Sequence, residues 1–232
     1  MARRIGILGG ISHESTARYY ELVHEGYYRR KGDYHYPEVV VFSLDFQRFT
    51  DLEGSGETEG YVEYIMEGVR AMEAAGSDFI VMAANSPHAV FDEVSEGARV
   101  PMLSIAEVTA EEAIRLGLKR LLLMGIKFTM GSRFYHEVCG RRGIEVITPA
   151  EGEQDEIEGI IFGELVLGVF SEGSRCRLLE IMGGYDVDGV ILGCTELPLI
   201  LGPGDADVPL LDTLSLHVEA ALDYSLEVTG SA

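Results

Sequence analysis

Three reactive groups stand side by side near the C-terminal end of the chain: the thiol of Cys194, the hydroxyl of Thr195 and the carboxylate of Glu196. They follow Val187-Asp188-Gly189-Val190-Ile191-Leu192-Gly193, whose branched apolar residues predict a strand buried on both faces. The carboxyl end of a parallel strand is where open α/β sheets bind ligands. A thiol there can take or give a proton, and the flanking polar groups can hold a carboxylate. A buried structural cysteine followed by a helix cap accounts for the same residues. What favours chemistry is that the pattern occurs twice.

Asp78-Phe79-Ile80-Val81-Met82-Ala83-Ala84-Asn85 falls on Asp188-Gly189-Val190-Ile191-Leu192-Gly193-Cys194-Thr195. Arg4-Ile5-Gly6-Ile7-Leu8-Gly9 falls on Arg120-Leu121-Leu122-Leu123-Met124-Gly125, and Val100-Pro101-Met102-Leu103 on Val208-Pro209-Leu210-Leu211. Three matches in the same order imply two similar α/β halves. A pseudo-two-fold arrangement would bring the turns after matching strands face to face around one small ligand. Cys194 would then meet one face of a carbon and Ala84 the other. Asn85, Ser86, Thr195 and Glu196 would hold a carboxylate through side-chain and backbone donors at helix starts.

The elements that must position these groups follow from alternating apolar runs and amphipathic stretches. Strands are predicted at 3–8, 38–43, 78–83, 100–105, 120–125, 145–148, 187–193 and 208–211. Helices are predicted at about 14–30, 60–75, 106–116, 154–167 and 171–182, before Arg142, and from Thr213 to about Val228. The glycine-rich acidic stretch 50–60 suggests a mobile lid or a plain solvated loop. Gly6, Gly9 and Gly10 miss the dinucleotide fingerprint and suit a tight turn instead. The fold class is therefore α/β, with two pseudo-symmetric lobes, each a parallel sheet flanked by helices, and the site between them. The first lobe takes residues 1–106 plus 214–232, and the second 107–213.

Bulk properties narrow the partners. The 232 residues carry 39 acidic against 18 basic side chains, a formal charge of -21, which argues against nucleic acid or an anionic membrane surface. Neither a spanning segment nor a signal peptide is expected. Cys139, Cys176 and Cys194 have neither disulfide nor zinc spacing, so a reduced, cytoplasmic protein without a metal is expected. Cys139 and Cys176 suit helix packing. His13, His24, His35 and His136 have no metal spacing, and His88 suits a site role or a helix start equally.

Gly9-Gly10-Ile11-Ser12-His13-Glu14-Ser15-Thr16, Asn85-Ser86-Pro87-His88 and Gly193-Cys194-Thr195-Glu196-Leu197 together resemble the aspartate/glutamate racemase family, in its broad-specificity amino-acid racemase branch. Asp212-Thr213 with His217 fits as well, and the likeness runs along nearly the whole chain. The resemblance implies two lobes, a homodimer, and racemisation of an amino acid or related carboxylate without pyridoxal phosphate or metal. One cysteine removes the α-proton and an opposite one returns a proton to the other face. A thiolate suffices as base only if desolvated and well placed, and the carbanion needs its carboxylate held. By resemblance, Cys194 is the second-lobe acid/base. Asn85, Ser86, Thr129 and Thr195 hold the carboxylate, with Ser12 and Glu196 beside them. His217 is a helper to the cysteine or a packed core histidine.

Two positions depart from the family pattern. Ala84 replaces the first-lobe cysteine and cannot move a proton, a loss of roughly 10²–10⁴-fold for a positioned acid or base. A bound water or Ser86 would have to relay. Glu156 stands where relatives often place a basic residue ahead of Ile157-Glu158-Gly159-Ile160-Ile161-Phe162, and it would repel an acidic substrate unless Arg48 compensates. A single cysteine also suits a decarboxylase of the arylmalonate type, where loss of carbon dioxide creates the carbanion and one thiol protonates it. A non-catalytic binder of small carboxylates is the third reading.

Overall fold

The computed structural model describes residues 2–227. Met1 and Val228–Ala232 lie outside the described residues, and with them the ends of the expected first lobe and of the final helix. The chain divides into two compact units, Met1–Ser104 with His217–Ala232, and Ile105–Leu216.

The first unit contains β1 (Ile5–Gly9), α1 (His13–Lys31), β2 (Val39–Ser43), α2 (Phe46–Ser55), α3 (Thr58–Ala74), β3 (Phe79–Met82), α4 (Phe91–Gly97) and β4 (Met102–Leu103). Its sheet is parallel, in the order β2-β1-β3-β4, with Ile5 paired to both Val39 and Phe79. The central strands β1 and β3 are buried throughout, as their unbroken apolar runs require. Leu8, Ile65, Val69, Met72, Ile80 and Met82 form the core against α3.

The second unit contains α5 (Ile105–Arg115), β5 (Arg120–Met124), α6 (Lys127–Gly131), α7 (Phe134–Gly140), β6 (Glu145–Ile147), α8 (Glu151–Gly163), α9 (Glu172–Gly183), β7 (Gly189–Leu192) and β8 (Leu210–Asp212). Its order, β6-β5-β7-β8, again parallel, reproduces the first sheet strand for strand. The correspondences read from the sequence, β1 with β5, β3 with β7 and β4 with β8, are those of the two sheets. A separate core of Leu121, Leu123, Tyr135, Ile157, Ile161, Leu178 and Ile191 fills this unit.

The last helix, α10 (Thr213–Leu226), leaves β8 directly, and from His217 onward it belongs to the first unit. There Arg3 N–H donates to the Ser225 carbonyl at 2.8 Å, the Ser225 hydroxyl donates to the Arg3 carbonyl at 2.7 Å, and Tyr224 packs edge-on against Phe79.

Residues 50–60 are not a lid or loop up to Ser55, because α2 occupies them. Asp45 caps this helix by accepting from the Arg48 N–H at 3.0 Å, and fully buried Phe49 anchors it beside Tyr61. Gly56, at φ 75°, ends it. The glycines that suggest a loop lie at or after its last turn. The strand predicted at 100–105 shrinks to Met102–Leu103, because α5 already begins at Ile105. No helix among the described residues is long and apolar enough to cross a membrane.

Candidate active site

In the second unit the reactive groups sit where β7 ends. Gly193 continues the strand direction, donating its N–H to the Met124 carbonyl at 2.7 Å. A Cβ here would meet that carbonyl oxygen at 3.1 Å and a Leu123 methyl at 2.9 Å, so only glycine brings the next residue this close to β5. Cys194 then precedes a short 3-10 turn, Leu197–Leu199, with Pro198 in its first positions, and its carbonyl accepts from the Leu197 N–H at 3.3 Å. Its thiol donates to Glu196 Oε2 at 2.8 Å, and the Thr195 hydroxyl donates to the same oxygen at 2.9 Å. Burial is the first cause holding the Cys194 thiol well above its ordinary range, and the neighbouring Glu196 charge is the second. Cys194 therefore rests as a thiol, ready to donate.

Thr129, on α6, reaches the same turn. A Cβ on Gly193 would lie 3.4 Å from the Thr129 methyl. Thr129 is fully buried, yet its hydroxyl has no hydrogen-bond partner among the described residues. A buried hydroxyl without a partner is costly, and a ligand oxygen would satisfy it.

In the first unit the matching turn runs Ala84-Asn85-Ser86 after β3, and all three residues are buried. Ala84 packs in the cluster that holds Ile11, Phe49 and Tyr61. His88 directs Nδ1 to the Ala84 carbonyl at 3.0 Å and stacks on Phe91, so it supports the turn from inside. Burial, and then His217, pull its imidazole down to about 3, which keeps it neutral. The Tyr61 hydroxyl donates to Glu53 Oε1 at 3.0 Å, and burial is the main cause that raises the Glu53 carboxyl.

Other residues expected at the site have different occupations. Ser12 caps α1, accepting from the Ser15 N–H, while Gly10, at φ 85°, lies so close to Leu44 that a side chain would strike its backbone. Arg48 stacks over the Tyr64 ring, 4.0 Å from its centroid, and bonds Glu67 at 3.2 Å, so its charge is already engaged. His217 lies in the first unit, with Nδ1 against the Tyr19 hydroxyl and Nε2 against the Leu103 carbonyl, each at 3.0 Å. Both ring nitrogens are thus taken, and burial holds its imidazole at about 4. Glu156 is not a bare charge either. Arg177 grips it with two hydrogen bonds of 2.6 and 3.0 Å and holds its carboxyl below the usual range.

The family model for Asp/Glu/hydantoin racemases matches residues 8–221. The chain belongs to that family. A broad-specificity amino-acid racemase of Bacillus subtilis is 26% identical over 212 residues, 90% of this chain and 92% of that one. The crystal structure of an aspartate racemase homologue from Pyrococcus horikoshii matches with a TM-score of 0.85 at 36% identity, covering 96% of this chain and 99% of that one. An aspartate racemase from Picrophilus torridus shares the fold, with a TM-score of 0.77 at 23% identity over 96% and 94% of the two chains.

Within this racemase-family chain, sequence reasoning missed the hydrogen bond between Glu53 and Tyr61. Asp45 as a helix cap, with Phe49 and Leu52 as its apolar stripe, was the available signal. It places Glu53 on a helix and not in a loop. Among the described residues no three His, Cys, Asp or Glu side chains converge to hold a metal ion.

Proposed function

We propose that the chain is a pyridoxal-phosphate-independent amino-acid racemase or epimerase, an isomerase whose acid/base is Cys194. The observation that carries this reading is the Cys194 thiol donating to Glu196, beside the unpartnered hydroxyl of Thr129. A substrate carboxylate supplies the acceptor that Thr129 lacks, and donors held on that carboxylate stabilise the carbanion as it forms. Cys194 then takes the α-proton as its own passes to Glu196, and on return the thiol protonates carbon. This route runs entirely on protein groups, so neither pyridoxal phosphate nor a metal enters it. Arg177 offsets the Glu156 charge, so an acidic side chain is not repelled at that position as a bare carboxylate would repel it. The family resemblance adds a cytoplasmic homodimer to the reading.

Proton NMR in heavy water tests it. Each L- and D-amino acid is incubated with the protein and its α-proton signal followed. Exchange is expected, and Cys194→Ser should slow it roughly 10²–10⁴-fold. No exchange with any amino acid would overturn the racemase.

One observation favours a second reading. Cys194 has no thiol counterpart at Ala84, which packs among Ile11, Phe49 and Tyr61. A decarboxylase of the arylmalonate type needs only one proton donor and an apolar place for the departing carboxylate. Release of carbon dioxide from disubstituted malonates, without exchange on amino acids, would select it.

A further inference from the structure

The acidic residues on either side of Ile157 have different partners, both within the second unit. Glu156 bonds Arg177 on α9, whereas half-buried Glu158 accepts the backbone N–H of Lys127 through Oε1 at 3.0 Å. Lys127 is the first residue of α6, and Thr129 lies two residues further along the same helix. Asp155, one turn before Glu158 on α8, accepts from Lys127 Nζ at 2.6 Å. Two carboxylates of α8 thus hold the residue that opens the helix of Thr129.

That helix depends on outside support. It has five residues, and a helix so short is marginal alone. Its first N–H groups have no partner within the helix, and Ile126 before it has no side-chain oxygen to cap them. The opposite holds for α8, which Ile157 and Ile161 anchor in the core of the unit. Glu158, next to Ile157, therefore supplies the missing cap from a fixed element. The two carboxylates do not contribute equally. The pair of Lys127 with Asp155 is exposed, at 39% and 61%, and such pairs contribute little. The Glu158 bond is part-buried and joins a charged acceptor to a backbone N–H, which is the stronger kind.

We propose that Glu158 is a positioning residue: by holding the Lys127 N–H it sets α6 so that the unpartnered Thr129 hydroxyl meets a substrate carboxylate. Glu158 itself neither touches the substrate nor moves a proton. Its task requires an acceptor oxygen rather than a charge. The acidic residue of the Ile157–Phe162 motif that serves the site is then Glu158, acting from behind a helix.

This inference rests on the racemase reading, and the experiment separates the two. The α-proton exchange in heavy water gives KM and kcat for the amino acid that the unaltered protein exchanges fastest. The variants are Glu158→Ala, Glu158→Gln, Asp155→Asn, Thr129→Val and the double variant Glu158→Ala with Thr129→Val. Glu158→Ala should raise KM roughly fivefold or more, with kcat changing less, and should speed amide hydrogen exchange at Lys127. Glu158→Gln keeps an acceptor oxygen and should recover most of the loss. Asp155→Asn should stay within about twofold of the unaltered protein. In the Thr129→Val background Glu158→Ala should raise KM no further, because its effect passes through that hydroxyl. Urea unfolding checks that each variant is folded, and Glu158→Leu stands in if Glu158→Ala is not. Exchange in the unaltered protein together with an unchanged KM in Glu158→Ala would overturn the proposal and leave the racemase standing. So would a Glu158→Gln variant as poor as Glu158→Ala, or effects of Glu158→Ala and Thr129→Val that multiply independently. Absence of any exchange in the unaltered protein would overturn both.

Discussion

Cys194 and Glu196 share one proton position: the thiol sulfur lies 2.8 Å from Oε2, with the sulfur as donor. The Glu196 charge is therefore one of the forces that keep Cys194 protonated, after burial. Glu196→Gln removes the charge and keeps the shape. The thiol should then ionise more readily, so that alkylation at pH 8 runs faster. Exchange at the substrate carbon should fall instead, because the proton of Cys194 has lost its acceptor. Peptide mass spectrometry after iodoacetamide treatment reads the first effect, with exposed Cys176 as the internal reference. Slower alkylation in the variant would show that Glu196 activates the thiol rather than restraining it.

Thr129 gives a prediction in which stability and activity part company. Its hydroxyl is buried without a partner, so Thr129→Val removes a polar atom that gains nothing from folding. The variant should be as stable as the unaltered protein or more stable by about 1 kcal/mol, measured by urea unfolding. Substrate KM should rise at least tenfold if the hydroxyl bonds the carboxylate. A destabilised protein with unchanged KM would remove Thr129 from the site.

Ala84→Cys should raise inversion by roughly 10²-fold, since it returns a thiol to the end of β3. The added sulfur enters a buried position and should destabilise the fold by about 1–3 kcal/mol. Unchanged inversion in the variant, with exchange from one enantiomer intact, would mean that position 84 does not reach the substrate.

His88 and His217 set the acid limit of the fold. Burial, for His88 with the added effect of His217, holds them at about 3 and about 4, against 6.5 for a free imidazole. The folded state therefore binds fewer protons than the unfolded chain between these values. Their stabilising contribution is complete above about pH 6.5 and is lost as pH falls toward the folded values. Each should cost roughly 2 kcal/mol between pH 7 and pH 5. Denaturant unfolding at both pH values measures the loss, and imidazole NMR should find His88 and His217 still neutral at pH 5. Unfolding midpoints independent of pH over this range would contradict the assignment.

The strands and the doubled pattern were legible because they rest on local periodicity and on order along the chain. Val190, Ile191 and Leu192 announce a strand without reference to any partner, and the following Cys194 marks its end. The setting of Glu53 was not legible, because it comes from burial beside Tyr61, which another element delivers. The contacts of His217 with Tyr19 and Leu103 were not legible either, because both partners lie far from it along the chain. Glu156 read as a repulsive charge because Arg177, on the next helix, does not figure in a local pattern. Secondary structure is written in neighbours along the chain, whereas protonation and pairing are set by neighbours in space.

The route of α10 has a consequence for how the protein is made. The first unit begins at the N-terminus, but the bonds of Arg3 to Ser225 and the packing of Phe79 on Tyr224 use residues near the other end. The second unit contains all of its own strands and is complete in sequence by Leu216. On a ribosome, the half that starts later therefore has everything it needs first. The earlier half must wait, with its sheet made and one side unclosed, until the final helix emerges.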